Sequence, residues 1–452
     1  MERVHGRYIM RLAIISDLHL GDPTSLMKFD IKKPETRDDK SGDIRTIRMR
    51  QDITYTIPTD SKYPEFKEKI KARFGGEKLD FLILLGDILD FSISSYTDAY
   101  AVGYCFFQQL IDDEIAKQVI YCPGNHDFDL WNTIQYEINV SNKIKNGKLP
   151  TPFRMSIPGI LDDRKDSPIR GLTLHNVARH SVQKNHTGYA GLFLDNITDP
   201  PTRFHFVFPN IYMMTDDDKI LITHGQYLEI YWSFIGKWAP VILKPDLKHK
   251  DPNTLDVGEL VSVNFPPCQL ACSAIGQAGA LTDLIQQTQN NVKAHDLSHI
   301  ELYIANLKIE LKKLGFFKFP FKCVKYLAFR FAKRKLLKAL KNMKTTRHDP
   351  DFINNEGVND RLTEYYKSTL LEIDEINKIF SPKISEPERV IYGHTHVSVP
   401  WDPNATPVDL PSGKKLQVFN SGGWIKVPGK EYCDAEIFYY ETGKGFSSEH
   451  IR

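Results

Sequence analysis

Five short apolar runs along the chain each lead into residues with metal-ligand side chains, always in one order. Leu12, Ala13, Ile14 and Ile15 lead to Asp17, Leu18 and His19. Phe81, Leu82, Ile83, Leu84 and Leu85 lead to Gly86, Asp87, Ile88, Leu89 and Asp90. Val119, Ile120 and Tyr121 precede Gly124, Asn125, His126 and Asp127. Ile220, Leu221 and Ile222 precede His224 and Gly225. Val390, Ile391 and Tyr392 precede Gly393, His394, Thr395 and His396. Short continuous runs rich in branched residues predict strands buried on both faces. Gly86, Gly124 and Gly393 punctuate the strand ends, where a tight turn calls for positive φ. Ligand-type residues therefore gather at strand termini, where open α/β sheets place their sites.

Each stretch alone is unremarkable. Asp17 two residues before His19 recurs by chance, and Gly86 before Asp87 is commonly a turn. Gly124 to Asp127 reads as a loop, since Asn and Asp favour turns. His224 alone is a core or surface histidine, and His394 with His396 are two solvated residues on one strand face. Their joint occurrence, in order and each behind an apolar run, reverses those readings. Seven oxygen and nitrogen ligands are enough to hold two divalent cations close together. Carboxylates and neutral imidazoles suit Mn, Fe, Zn or Co, and the lack of a thiolate cluster argues against a structural zinc site. One carboxylate must bridge the cations to keep them roughly 3.5–4 Å apart. A hydroxide between them attacks phosphorus in line, while a nearby non-ligand imidazole stabilises charge or protonates the leaving oxygen.

In these motifs the chain resembles the calcineurin-like metallophosphoesterases. Their pattern is Asp-x-His, Gly-Asp-x-x-Asp, Gly-Asn-His followed by Asp or Glu, a lone His-Gly, and Gly-His-x-His, and every part is matched here. The resemblance implies that Asp17, His19, Asp87 and His396 bind one metal. It implies that Asp87, Asn125, His224 and His394 bind the other, with Asp87 bridging. His126 would be the catalytic histidine near the leaving group, oriented by Asp127, and Asp90 would hold a ligand histidine in its tautomer. The matched core spans roughly residues 10–225 and 385–450. Ser16 to Gly21, Gly124 to Phe128 and Asn420 to Trp424 look most like the branch of UDP-2,3-diacylglucosamine pyrophosphohydrolases. Those enzymes typically carry arginine where this chain has His126, so the resemblance is to the branch.

The 452 residues exceed one ordinary domain without demanding two, and a net charge of +2 excludes a globally basic nucleic-acid binder. Cys105, Cys122, Cys268, Cys272, Cys323 and Cys433 form no metal spacing, and Cys268 with Cys272 read as two helix residues. A chain of this size needs no disulfide staples, which points to a reducing compartment, the cytoplasm. An apolar signal segment and a spanning run of eighteen apolar residues are both absent from the sequence.

Two insertions interrupt the expected core. Residues 21–78 are polar and charged, and they read as a solvated loop or short hairpin, or else as a rim facing substrate. Residues 128–218 continue the core, with strands at Phe204 to Phe208 and Ile211 to Met214; His175, His180, His186 and His205 fall there without ligand spacing. Residues 226–384 form the larger insertion. Tyr227, Tyr231, Trp232, Phe234 and Trp238 are either substrate walls or core packing. Ile304, Leu307, Leu311 and Leu314 repeat at helical spacing. Residues 318–344 hold many Lys and Arg and no Asp or Glu. On a helical wheel Arg330, Lys333, Arg334, Lys338 and Lys341 fall opposite Val324, Ala328, Phe331 and Ala332, with Lys335 intruding on the apolar side and Tyr326, Leu337 and Leu340 on the basic side. A solvated lid, an anionic lipid contact and a nucleic-acid contact all fit this run. Residues 360–380 read as a closing helix.

The expected fold is α/β, a metallophosphoesterase two-sheet sandwich flanked by helices with a mainly helical insertion. Residues 1–225 and 385–452 would form the core and 226–384 the cap. The expected activity is two-metal hydrolysis of a phosphate- or pyrophosphate-bearing lipid or nucleotide conjugate. The alternatives are a nuclease or cyclic-nucleotide phosphodiesterase and, in a different class, a non-catalytic scaffold. The expected cofactors are two divalent metal ions, manganese first, with iron, zinc or cobalt as alternatives. The expected partners are a phosphorylated small molecule or lipid, an anionic membrane at the periphery and, less favoured, nucleic acid.

Overall fold

The structure is a computed structural model. It describes residues 3–4, 7–33, 49–167, 170–176, 181–184, 203–229, 255–272, 296–313, 326–327, 329–331, 333–334, 337, 352–381, 383–427 and 429–452. The five apolar runs are strands: β1 (Arg11–Ile15), β2 (Phe81–Leu85), β3 (Gln118–Cys122), β9 (Lys219–Thr223) and β10 (Arg389–Tyr392). Between β3 and β9 lie β4 (Gly159–Asp162), β5 (Gly171–Asn176), β6 (Ser181–Lys184), β7 (Arg203–Phe206) and β8 (Asn210–Met214). The chain closes with β11 (Lys415–Gly423), β12 (Asp434–Glu441) and β13 (Gly445–Ile451).

These strands hydrogen-bond in the order β6-β5-β4-β8-β9-β10-β11-β12-β1-β2-β3-β7, with β13 beside β12. The pairing is mixed: β1, β2 and β3 are mutually parallel, while β12 runs antiparallel to β1. The sheet curls until its two halves face each other. Leu12, Ile14, Phe81, Ile83 and Ile120 from one half share a core with Ile211, Met213, Ile220, Ile222 and Ile391 from the other. The intervening residues Ala13, Ile15, Leu82 and Leu84 face the opposite way and join the core beneath the helices. Period-two alternation with both faces apolar is why the runs read as continuous in sequence. The expected sandwich with helices outside is thus the observed architecture, built from one curled sheet.

Three helices cover the first half: α1 (Tyr63–Arg73), α2 (Tyr96–Asp112) and α3 (Phe128–Tyr136). Ser95 caps α2 by accepting from Asp98 N at 3.1 Å. Residues 21–78 include a small hairpin of Asp30–Lys32 with Thr54–Thr56, and then α1, which buries Tyr63, Phe66 and Ile70. That stretch is therefore partly core, because its aromatic and branched residues supply one apolar helix face.

Between β9 and β10 the described helices are α4 (Val257–Cys272), α5 (Ser298–Lys313) and α6 (Glu356–Ile379). α4 contains both Cys268 and Cys272. α6 begins at Asn355, whose side chain accepts from Gly357 N at 3.1 Å. It packs Val358, Leu362, Tyr365, Ile373 and Ile376 into the main core. Among the described residues, none of the helices is long and apolar enough to cross a membrane. The α5 stripe is only partly realised: Ile304 and Leu311 are half-buried, Leu307 is exposed, and Leu314 lies outside the described residues.

Candidate metal centre

The first two strand-end loops are stitched together by their backbones. Asp17 N donates to Gly86 O at 3.0 Å and His19 N to Asp87 O at 2.9 Å. Asp17, His19, Asp87, His394 and His396 all take positive φ, between 46° and 71°. That region costs a non-glycine residue on the order of 1–3 kcal/mol and persists only where the surroundings over-determine it. The strain is thus concentrated at five of the seven candidate ligands. Of the three punctuating glycines, only Gly86 has the expected positive φ, at 78°. Gly124 and Gly393 serve a different need, close approach: a Cβ at Gly124 would collide with Asp87 Oδ1, and one at Gly393 with Asp17 Oδ2.

All seven candidate ligands meet at one place. Asp17, His19 and His396 form one cluster, and Asp87, His224 and His394 form a second. His19 Nε2 lies 3.0 Å from His396 Nε2, which is 3.3 Å from Asp17 Oδ1. His224 Nε2 lies 3.2 Å from Asp87 Oδ2 and 3.3 Å from Asn125 Oδ1. Asp87 belongs with both groups, since its Oδ2 is also 3.9 Å from His19 Nε2.

The donor chemistry can be tested for fit. His224 Nδ1 faces Leu85 O at 2.9 Å, and His19 Nδ1 faces Asp90 Oδ2 at 2.8 Å. Both partners are acceptors, so in the neutral rings each Nδ1 carries the proton and each Nε2 a lone pair. His224 Nε2 therefore points its lone pair at two oxygens that are also acceptors. Asp87 Oδ2, fully buried, accepts no hydrogen bond from the described residues. Converging lone pairs in a buried site call for a cation, and these residues fit divalent ions.

Electrostatics agree. Burial opposes ionisation of Asp17, yet His224 and His396 bring its carboxyl down to about 2. Asp87 is held well below the carboxylate range by His224, His126 and His19, also against burial. Burial disfavours charge on His19, but Asp90, Asp87 and Asp17 push it up to about 9; Asp87 and Asp17 do the same for His224. Protons and divalent cations therefore compete for the same ring nitrogens.

His126 makes a third such group with His19 and Asp87 and sits at the more accessible edge. Its side chain is 11% exposed against 0–2% for Asp17, His19, Asp87 and His224. The expectation that Asp127 orients it needs correction. Asp127 accepts from Gly124 N at 2.6 Å, Ile88 N at 2.8 Å and Tyr121 OH at 2.5 Å, which pins the loops. Lying at the start of α3, its side chain folds back onto those donors. Burial and the Asp87 charge raise its pKa to about 6. The carboxylate on His126 is Asp90, whose Oδ2 lies 3.0 Å from His126 Nδ1; Ser92 Oγ also bonds that nitrogen. Asp90 thereby serves His19 and His126 with a single oxygen.

Glu229 had no motif to announce it. It is buried, and its Oε2 lies 3.1 Å from His394 Nε2, where it fixes the ring's orientation. Asn420 bonds Gly393 O at 3.0 Å and Thr395 Oγ1 at 2.9 Å, so Asn420 to Trp424 braces the last histidine loop. His205 is buried, with Nε2 against Gln118 Oε1 at 2.8 Å, while His175 lies on β5. His180 and His186 lie outside the described residues, as do Tyr231, Trp232, Phe234 and Trp238. Tyr227 is buried and stacks on Tyr365 with centroids 5.7 Å apart, which makes it core packing.

No curated protein matches the chain. The sequence profile of the calcineurin-like phosphoesterases matches residues 10–237, half of the chain. The curled mixed sheet, the strand-end loops and the buried Asp and His groups are what that profile leads one to expect. The chain belongs to the calcineurin-like phosphoesterases, metal-dependent hydrolases of phosphoric esters.

Proposed function

We propose that this centre holds two divalent cations bridged by Asp87, manganese first among the candidates. Asp17, His19 and His396 would hold one ion, and Asn125, His224 and His394 the other. The observation that carries this reading is the convergence of His224 Nε2, Asp87 Oδ2 and Asn125 Oδ1, three ligand-type atoms brought together in one buried place. Bound there, the cations would neutralise phosphoryl oxygens and lower the pKa of the attacking water. His126, with Nδ1 committed to Asp90 and Ser92, keeps Nε2 for the leaving oxygen. The proposed substrate is a phosphate- or pyrophosphate-bearing lipid or nucleotide conjugate, a reading supported by the stretches shared with the UDP-2,3-diacylglucosamine pyrophosphohydrolase branch. Cys105, Cys122 and Cys433 are buried free thiols, which supports a reducing compartment such as the cytoplasm. We read residues 226–384 as the insertion between two parts of one core.

The test is metal-supplemented hydrolysis of bis(p-nitrophenyl) phosphate by wild type and Asp87→Asn, with metal analysis of both proteins. The variant should lose turnover and bound metal together, because one substitution removes the charge both ions share. Full two-metal content with normal turnover would overturn the bridging role. A parallel screen of nucleotide sugars, phospholipids and DNA decides the substrate class.

A further inference from the structure

The basic run at residues 318–344 carries ten lysines and arginines and no acid. Its described residues are helical, and the ones exposed to solvent are Tyr326, Leu327, Arg330, Phe331 and Arg334. At 100° per residue these five fall within an arc of about 140°. Lys333 lies about 20° and Phe329 about 60° outside that arc and both are half-buried, as is Leu337, which falls inside it a turn further on. The exposed face therefore mixes cations with apolar side chains beyond the Tyr326 that the wheel already set on the basic side. Leu327 and Phe331 are each 62% exposed, with Arg330 and Arg334 between them.

The neighbouring helix extends the surface. Lys308 Nζ of α5 sits 4.5 Å from the Tyr326 ring centroid, and Glu301 of α5 lies 3.9 Å from Lys333 Nζ. On α5, Leu302 and Ile309 lie about 20° apart around the helix and are each more than half exposed. A lid that meets only water would turn its leucines and phenylalanine inward and its cations outward. Here both classes face out together.

We propose that this helix, with α5 beside it, is a docking surface for a bilayer bearing anionic phospholipid. A basic helix lying in the interface buries its apolar side chains among the acyl chains while its cations meet the phosphates. Charge complementarity selects this occupant. A second copy of the chain would set one basic face against another. A phosphate backbone would satisfy the arginines but offers nothing to Leu302, Ile309, Leu327 and Phe331. The inference stands apart from the metal centre, because none of these residues belongs to it.

The experiment is co-sedimentation of the full chain with phosphatidylcholine vesicles, with and without phosphatidylglycerol, at low and high salt. Wild type should sediment with the anionic vesicles only, and salt should release it. Arg330→Glu with Arg334→Glu should weaken binding by about fivefold or more for each cation lost. Leu327→Ser with Phe331→Ser should weaken it by about tenfold. Both double variants should keep the wild-type melting temperature and turnover of bis(p-nitrophenyl) phosphate, which separates lost docking from lost folding. Equal binding to neutral vesicles, or none to anionic vesicles at low salt, would overturn the proposal. So would full binding by the Leu327→Ser, Phe331→Ser variant, since that is adsorption by charge alone. Preferential capture by duplex DNA, or a dimer in sedimentation velocity that these variants abolish, would overturn it in favour of another occupant.

Discussion

One oxygen of Asp90 meets two imidazoles with different proposed tasks, and a pair of substitutions can separate them. His126→Ala removes only the group proposed for the leaving oxygen. It should lower kcat on the order of 10²–10⁴-fold, with metal content kept and a smaller loss for substrates whose leaving group needs no proton. Asp90→Asn disturbs His126 and also His19, whose Nδ1 lies 2.8 Å from it. It should cost kcat and, in addition, about 10–100-fold in metal affinity. Metal titration beside turnover distinguishes the two, and unchanged metal affinity in Asp90→Asn would sink the coupling. The sequence named the residues that meet here, because each follows a strand and the set recurs in order. The role that the resemblance implied for Asp127 is not the one its side chain takes, since it turns back onto Gly124 N, Ile88 N and Tyr121 OH. An Asp90 contact with a ligand histidine was implied by the resemblance, and Asp90 meets His19; its contact with His126 and that of Glu229 with His394 join residues far apart in the chain, which no local pattern shows.

Elements were legible wherever both faces are apolar, and less so where burial depends on a distant partner. The strands before Asp17, Asp87, Asn125, His224 and His394 appear where the apolar runs lie. The closing helix expected at 360–380 is α6, which starts earlier because Asn355 caps it. What its pattern could not reveal is that α6 buries a carboxylate. Glu372 is fully buried, bonded to Ser156 Oγ and, at 2.5 Å, to Tyr212 OH. Burial raises its pKa from 4.5 to about 7 despite those bonds. An acid with a raised folded pKa favours the fold when protonated. Its contribution is full below pH 4.5 and is lost as pH rises through 7, on the order of 3 kcal/mol in all. Glu372→Gln keeps the shape without the charge. It should raise the melting temperature clearly at pH 8 and little at pH 4.5, measured by thermal denaturation at both pH values. An equal shift at both would show that charge is not the cause.

At the scale of the molecule, the last 68 residues occupy the middle of the sheet. β10, β11 and β12 separate β9 from β1, so in the hydrogen-bonded strand order the two sheet halves are joined through strands made last. Trp424 N donates to Asp17 O at 3.0 Å and Leu26 N to Trp424 O at 2.7 Å, which ties that segment to the first candidate ligand loop. The family profile ends at residue 237 and so covers neither His394 nor His396. Those two histidines were legible only because the Gly-His-x-His motif follows its own apolar run. Their place beside Asp17 depends on pairings across nearly the whole chain, the class of contact that sequence reads worst and that forms late in folding. A chain ending at residue 384 should therefore fail as a fold, not merely lose two ligands. It would expose the edges of β9 and β1 and leave Ile220, Ile222, Leu12 and Ile14 without Ile391, Phe419 and Phe438 in their shared core. Far-UV circular dichroism and thermal melting of the 1–384 chain should show no cooperative transition, whereas His394→Ala in the full chain should keep one. A truncated chain that melts cooperatively near the full-length temperature would mean that the two sheet halves are stable apart.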